Sequence, residues 1–194
     1  MTAPFGQTRT RLAPRHALIA PDGHVKSNVP GIVGGETVVL ISPALGAKFT
    51  QLLVTLAAGG RIDLPAGPLE TVGYVLAGGG TLTLGGAKRA CGPGAFFFAP
   101  AGAEAGFAAR RAGTRLTLFQ KRFAPLAGAP APAAVVGDAA RVRGEPFLGD
   151  PDARLQVLLP DAPAYDLAVN LFTYRPGATL PFVETHVMEH GLLM

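Results

Sequence analysis

The sequence predicts an all-β protein of two tandem antiparallel β-barrel domains, the second incomplete. Three observations predict it. The 194 residues include 26 glycines and 18 prolines, nearly double the usual share, and so carry an excess of turn chemistry. Short apolar runs bounded by Gly or Pro recur in place of long amphipathic stretches. A gapless internal repeat, at an offset of 118 residues, relates the two halves of the chain. Hydrophobic residues at 48% exclude a disordered chain, charged residues at 15% exclude a coiled coil, and the absence of a Gly-X-Y period excludes collagen.

Taken in order, residues 1–15 are polar and basic with no apolar centre and do not read as a secretory leader. His16 and His24 follow in a turn-rich arm and are not expected to be ligands. Strands are expected at 36–41, 49–57, 70–76, 81–84, 95–99 and 114–123. The most apolar of them, Ala95-Phe96-Phe97-Phe98-Ala99, suits a buried strand and is far too short to span a bilayer. An uncharged Pro/Ala-rich segment from Leu126 reads as a crossing between domains. Strands resume at 154–159 and 166–174. The expected division is therefore an N-terminal barrel with its arm at 1–125, a linker at 126–137, and a second barrel at 138–194.

The repeat sets residues 54–64 against 172–182 without a gap. Thr55 meets Thr173, Gly59 meets Gly177, Ile62 meets Leu180 and Leu64 meets Phe182. A duplicated β-domain is the simplest origin, with the linker between the copies.

Charge and cysteine narrow the function. Seven basic residues (Lys88, Arg89, Arg110, Arg111, Arg115, Lys121 and Arg122) and one acid, Glu104, fall within 88–122. They are scattered among apolar strands with no interleaved aromatics, so a solvated strand face is expected, not a nucleic-acid surface. A single cysteine, Cys91, excludes an internal disulfide and a thiolate metal cluster. The expectation is a soluble, cytoplasmic protein with no nucleic-acid or membrane partner.

The segment Glu184-Thr185-His186-Val187-Met188-Glu189-His190-Gly191 carries the chemistry. If it is a strand, side chains two apart share a face, and Glu184, His186 and His190 lie together with Met188 between them. A carboxylate and two imidazoles on one apolar face form part of an octahedral site for a divalent metal, with Mn, Fe, Zn or Ni all compatible. Burying three such groups without a shared cation would be costly, although a hydrogen-bonded core histidine is the ordinary alternative. At the offset of 118 the three positions fall on Ala66, Pro68 and Val72, so the first copy lacks the ligands.

The second turn-and-strand motif, Gly92-Pro93-Gly94-Ala95-Phe96-Phe97-Phe98-Ala99-Pro100, resembles that of the cupin family. Most cupins place His-x-His before a Glu, whereas here the acid comes first. That order, in the second of two domains with a metal-free first, resembles the (S)-ureidoglycine aminohydrolase family of bicupins. Residues 39–49 and 180–193 add to the likeness, which runs from about residue 15 to the end. The resemblance implies a Mn2+-dependent hydrolase that converts the small molecule (S)-2-ureidoglycine to (S)-ureidoglycolate and ammonia in allantoin and purine catabolism. It implies Glu184, His186 and His190 as metal ligands, Glu184 as a proton carrier to the leaving amine, and His190 at the substrate as well. A homo-oligomer is expected. The family's remaining ligand, a Gln, and its substrate-holding Tyr and Lys belong to a motif later than Met194. A second copy as long as the first would run roughly 47 residues further, so an incomplete chain is expected. Competing expectations are another metal-dependent cupin enzyme, such as a sugar-acid isomerase or dioxygenase, and a non-catalytic binding bicupin.

Overall fold

A computed structural model describes residues 8–180, 182–183 and 187–194. Among them there is no α-helix, and so no helix long and apolar enough to cross a membrane. The strands in chain order are β1 (Arg11–Ala13), β2 (His16–Leu18), β3 (Lys26–Ser27), β4 (Ile32–Ile41), β5 (Phe49–Leu64), β6 (Leu69–Ala77), β7 (Gly80–Leu84) and β8 (Ala87–Cys91). Next come β9 (Ala95–Ala99), β10 (Ala105–Ala109), β11 (Thr114–Arg122), β12 (Val135–Asp138), β13 (Glu145–Phe147), β14 (Asp150–Val157) and β15 (Asn170–Tyr174). β1 and β2 form an isolated hairpin, and β13–β14–β15 form a separate sheet. The other ten make one antiparallel sheet, ordered β12-β9-β6-β11-β5-β10-β7-β8, with β4 and β3 branching from β5. The molecule is therefore all-β with the curled antiparallel sheet of a cupin barrel, as its turn-rich composition predicts.

The long strand β5 produces the curl. Its first half pairs with β11 (Leu56↔Thr114 to Phe49↔Lys121) and its second with β10 (Leu64↔Ala105 to Arg61↔Ala108). One strand thus belongs to two walls, and the space between them fills with apolar side chains. Leu56, Ile62, Leu82, Phe97, Phe107, Leu116 and Leu118 are almost completely buried there. Each such side chain stabilises the fold by about 2 kcal/mol through loss of apolar surface to water.

β-Strand alternation sends Phe97 inward and Phe96 and Phe98 outward. These outward rings are buried too, because chain beyond residue 138 covers them. Phe96 packs with Ala139 and Leu158. Phe98 and Val72 pack with Leu159, and the Phe98 ring centroid lies 5.4 Å from that of Tyr165.

Strand positions were legible where apolar residues cluster, and the differences have local causes. β8 carries exposed Lys88 and Arg89, and β10 is Ala and Gly apart from Phe107, so neither shows a run of strand-forming residues; their neighbours in the sheet impose the conformation. β5 runs seven residues past its expected end because β10 pairs with it there. β12 straddles the end of the expected linker and the start of the expected second domain, and pairs with β9 of the first sheet. The strand expected at 166–174 begins only at Asn170. Tyr165 and Leu167 are drawn onto the first sheet instead.

The offset of 118 reappears in the hydrogen-bond register. Ser27↔Thr37, Thr37↔Val54, Glu36↔Thr55 and Gly35↔Leu56 join β3, β4 and β5. Glu145↔Leu155, Leu155↔Phe172, Arg154↔Thr173 and Ala153↔Tyr174 join β13, β14 and β15. Each pair of the second set is a pair of the first moved by 118. The single-turn 3-10 helices Pro21–Gly23 and Ala139–Arg141 obey the same shift. Gly59 and Gly177 both adopt the left-handed conformation, with φ of 74° and 89°.

Candidate functional site

The outer face of the first sheet holds the end of the sequence motif. On it β5 presents Phe49 and Gln51, opposite Lys121 and Phe119 of β11. Residues 189–192 lie across this patch. The Glu189 carboxylate accepts a hydrogen bond from the Lys48 backbone N–H at 2.6 Å, and Gln51 Nε2 donates to the Leu192 carbonyl at 3.5 Å. A Cβ on Gly191 would come within 2.8 Å of Gln51 Oε1, Phe119 Cε1 and Phe49 Cε2, so any larger residue here would have to displace these side chains. Gln51 is 1% exposed, and its Oε1 has no hydrogen-bond partner among the described residues. His190 sits between two anchored neighbours and is itself exposed.

Of the predicted ligands, Glu184 and His186 lie outside the described residues. His190 is described, but residues 187–194 are irregular, so the strand expected across 184–190 is absent at its described positions. The internal comparison also changes. Ala66 and Pro68 fall in the turn between β5 and β6, and Val72 points outward from β6 into the packing against Leu159. At the offset of 118 the three positions therefore share no strand face in the first barrel; the register match holds as far as β15 and Gly177. Among the described residues, no three His, Cys, Asp or Glu side chains gather as a metal cluster. Cys91 closes β8, and burial raises its thiol pKa, in keeping with an inert small residue.

A second polar constellation was not anticipated from the sequence. Glu70 of β6 stands opposite Lys121 of β11, and both point outward beneath the segment between β14 and β15. Glu70 is 0% exposed, and among the described residues no N–H group or hydroxyl donates a hydrogen bond to either of its carboxylate oxygens. Lys121 Nζ lies 3.7 Å from Glu70 Oε1 and forms a close ion pair with Asp166. Asp166 also accepts from the Ala124 backbone N–H at 2.9 Å. Burial, then the hydrogen bond and charge of Asp166, push Glu70 up to about 8, against the opposing pull of Lys121. Burial alone would raise Asp166, but hydrogen bonds from Glu70, Lys121 and Ala124 outweigh it and hold this carboxyl below its usual range. The sequence signal was a single acid, Glu70, at the start of one apolar strand and Lys121, beside Arg122, at the end of another, where a solvated face was expected.

Comparison with known proteins places these features in context. No family model matches the chain. It is 33% identical over 178 residues to (S)-ureidoglycine aminohydrolase of Escherichia coli (strain K12), covering 90% of this chain and 68% of that protein. It is 29% identical over 192 residues to (S)-ureidoglycine aminohydrolase of Arabidopsis thaliana, covering 97% of this chain and 63% of the relative. The crystal structure of protein Ylba from E. coli aligns with a TM-score of 0.82 at 29% identity, over 92% of this chain and 72% of that one. The chain thus spans roughly two thirds of the length of the proteins it resembles.

Proposed function

The chain belongs to the (S)-ureidoglycine aminohydrolase family, a family of hydrolases, and from that premise we propose that it releases ammonia from (S)-2-ureidoglycine to give (S)-ureidoglycolate. The observation that carries the reading is the 33% identity over 90% of the chain to a relative of that name, together with the Glu-x-His-x3-His set at Glu184, His186 and His190.

Hydrolysis here breaks the bond between the substrate carbon and its amine. The hydroxyl of water takes that place, and the departing nitrogen gains a proton and leaves as ammonia. A carboxylate and two imidazoles without thiolate suit a divalent ion of intermediate hardness, and we assign Mn2+. Such an ion, when bound, supplies Lewis acidity and a template for the substrate. Glu184, His186 and His190 would hold it. Glu184 would also carry the proton to the leaving amine, and His190, beside the ion, would contact the substrate.

The first barrel supports this site without supplying ligands. It anchors residues 189–192 through Lys48 and Gln51. The proposed division is an N-terminal barrel at 1–125, a linker at 126–137 and a metal-binding unit at 138–194. The register shared by β3–β4–β5 and β13–β14–β15 supports it. We also infer a cytoplasmic homo-oligomer acting in allantoin breakdown.

The test is ammonia release from freshly prepared ureidoglycine. Release is expected with added Mn2+ and is expected to stop with a chelator. Absence of any metal-dependent release would refute the proposal.

A further inference from the structure

The buried acid–base–acid group on the outer wall of the barrel has no part in the proposed chemistry, yet it joins two parts of the molecule that are far apart in sequence. Glu70 and Lys121 come from adjacent strands of the first sheet, and Asp166 comes from the segment lying over them. That segment also places Leu159 and Tyr165 against Val72 and Phe98. Apolar contact therefore provides most of the attachment, and the three charged groups sit at its edge.

The charge balance depends on one proton. With Glu70 protonated, its hydroxyl donates to Asp166, and the Asp166 carboxylate neutralises the Lys121 ammonium. All three groups are then paired, and the site is neutral. With Glu70 ionised, two carboxylates face one ammonium, and the Glu70 carboxylate, itself closed to water, carries an uncompensated charge. The other elements beside Glu70 do not relieve it. β9 offers Ala99 and Phe98 opposite Thr71 and Val72, and β5 offers Phe49 opposite Lys121; none of these side chains titrates. The groups acting on Glu70 are Asp166 and Lys121.

We propose that Glu70, Lys121 and Asp166 form a pH-dependent clasp that holds the segment between β14 and β15 on the first barrel, tight in mild acid and looser in mild alkali. The sign follows from linkage. Docking raises the Glu70 pKa from an ordinary 4.5 to about 8. The docked state therefore holds a proton that the undocked state has released, and the stabilisation is complete below pH 4.5. It is lost progressively as pH rises through that interval, and docking levels off above the upper value. Asp166 is shifted the opposite way, so its own contribution changes only at more acid pH.

Hydrogen exchange of the amides of residues 158–169, corrected for intrinsic exchange rates, tests this. In the wild type, protection is expected to fall about tenfold per pH unit between about pH 5 and 8, then flatten. In Glu70→Gln, which stays neutral and can still donate to Asp166, protection is expected to be independent of pH. The same slope in the variant, or no slope in the wild type, would overturn the clasp. Carbon-13 NMR of glutamate-labelled wild type gives a second reading, with Glu70→Gln serving only to assign the signal. A carboxyl titrating near pH 8 and absent from spectra of Glu70→Gln supports the proposal. A wild type in which every glutamate titrates in the ordinary range overturns it.

Discussion

In the first copy of the repeat, β5 pairs with β4 on one side and with β11, then β10, on the other. In the second copy, β15 pairs only with β14 among the described residues. The two copies share register, turn and left-handed glycine, yet β5 runs for 16 residues and β15 for five. Register is a local property, set by which residues can face the core and by the turns at each end. Strand length is not local. Past Gly59 the chain stays extended because β10 and the start of β4 pair with it, and past Gly177 no such pairing is seen among the described residues.

The largest expected difference between the copies lies in metal binding. His190→Ala is expected to lower Mn2+ affinity by roughly 100-fold or more, since loss of even an outer-sphere partner costs about 10- to 100-fold. Val72→Ala, at the matching position of the first copy, is expected to leave Mn2+ affinity unchanged while weakening the packing against Leu159. Isothermal titration with Mn2+ measures both. Equal effects, or no effect at His190, would break the assignment of metal binding to the second copy alone.

Packing should differ next. Leu56 is 1% exposed inside the barrel, whereas its counterpart Tyr174 is only half-buried. Leu56→Ala is expected to cost about 3 kcal/mol, as a cavity in a closed core. Tyr174→Ala is expected to cost less than half as much, because its ring stacks on Phe172 at the margin of a three-stranded sheet. Urea denaturation of the two variants compares them directly. Matching losses would show that the second sheet is as tightly built as the first.

These contrasts also mark what the sequence could disclose. The fold class was legible because turn chemistry and apolar runs are local signals, and Ala95–Ala99 was placed to the residue. β8 and β10 were not, since exposed Lys88 and Arg89 and the small residues flanking Phe107 in β10 take their conformation from neighbouring strands. For the site, spacing alone singled out Glu184, His186 and His190. Gln51, which meets the chain next to His190, is separated from Leu192 by 141 positions. Glu70 was illegible for the same reason: its burial and its partner Asp166 arise only when the segment after β14 folds back.

The smallest effect gives the most direct test of whether the two copies remain alike where they begin to part. Gly59 and Gly177 both hold positive φ, and a Cβ at either would meet nothing within 4 Å. Alanine there is penalised by its backbone alone, at about 1 kcal/mol. If the two glycines are held equally, Gly59→Ala and Gly177→Ala should lower the urea midpoint by the same amount. A loss at Gly59, inside β5, with none at Gly177 would show that the turn at Gly177 can relax to another conformation at no cost. The likeness of the two copies would then end with the last paired residue of β15, Tyr174, and the left-handed glycine would not be part of what they share.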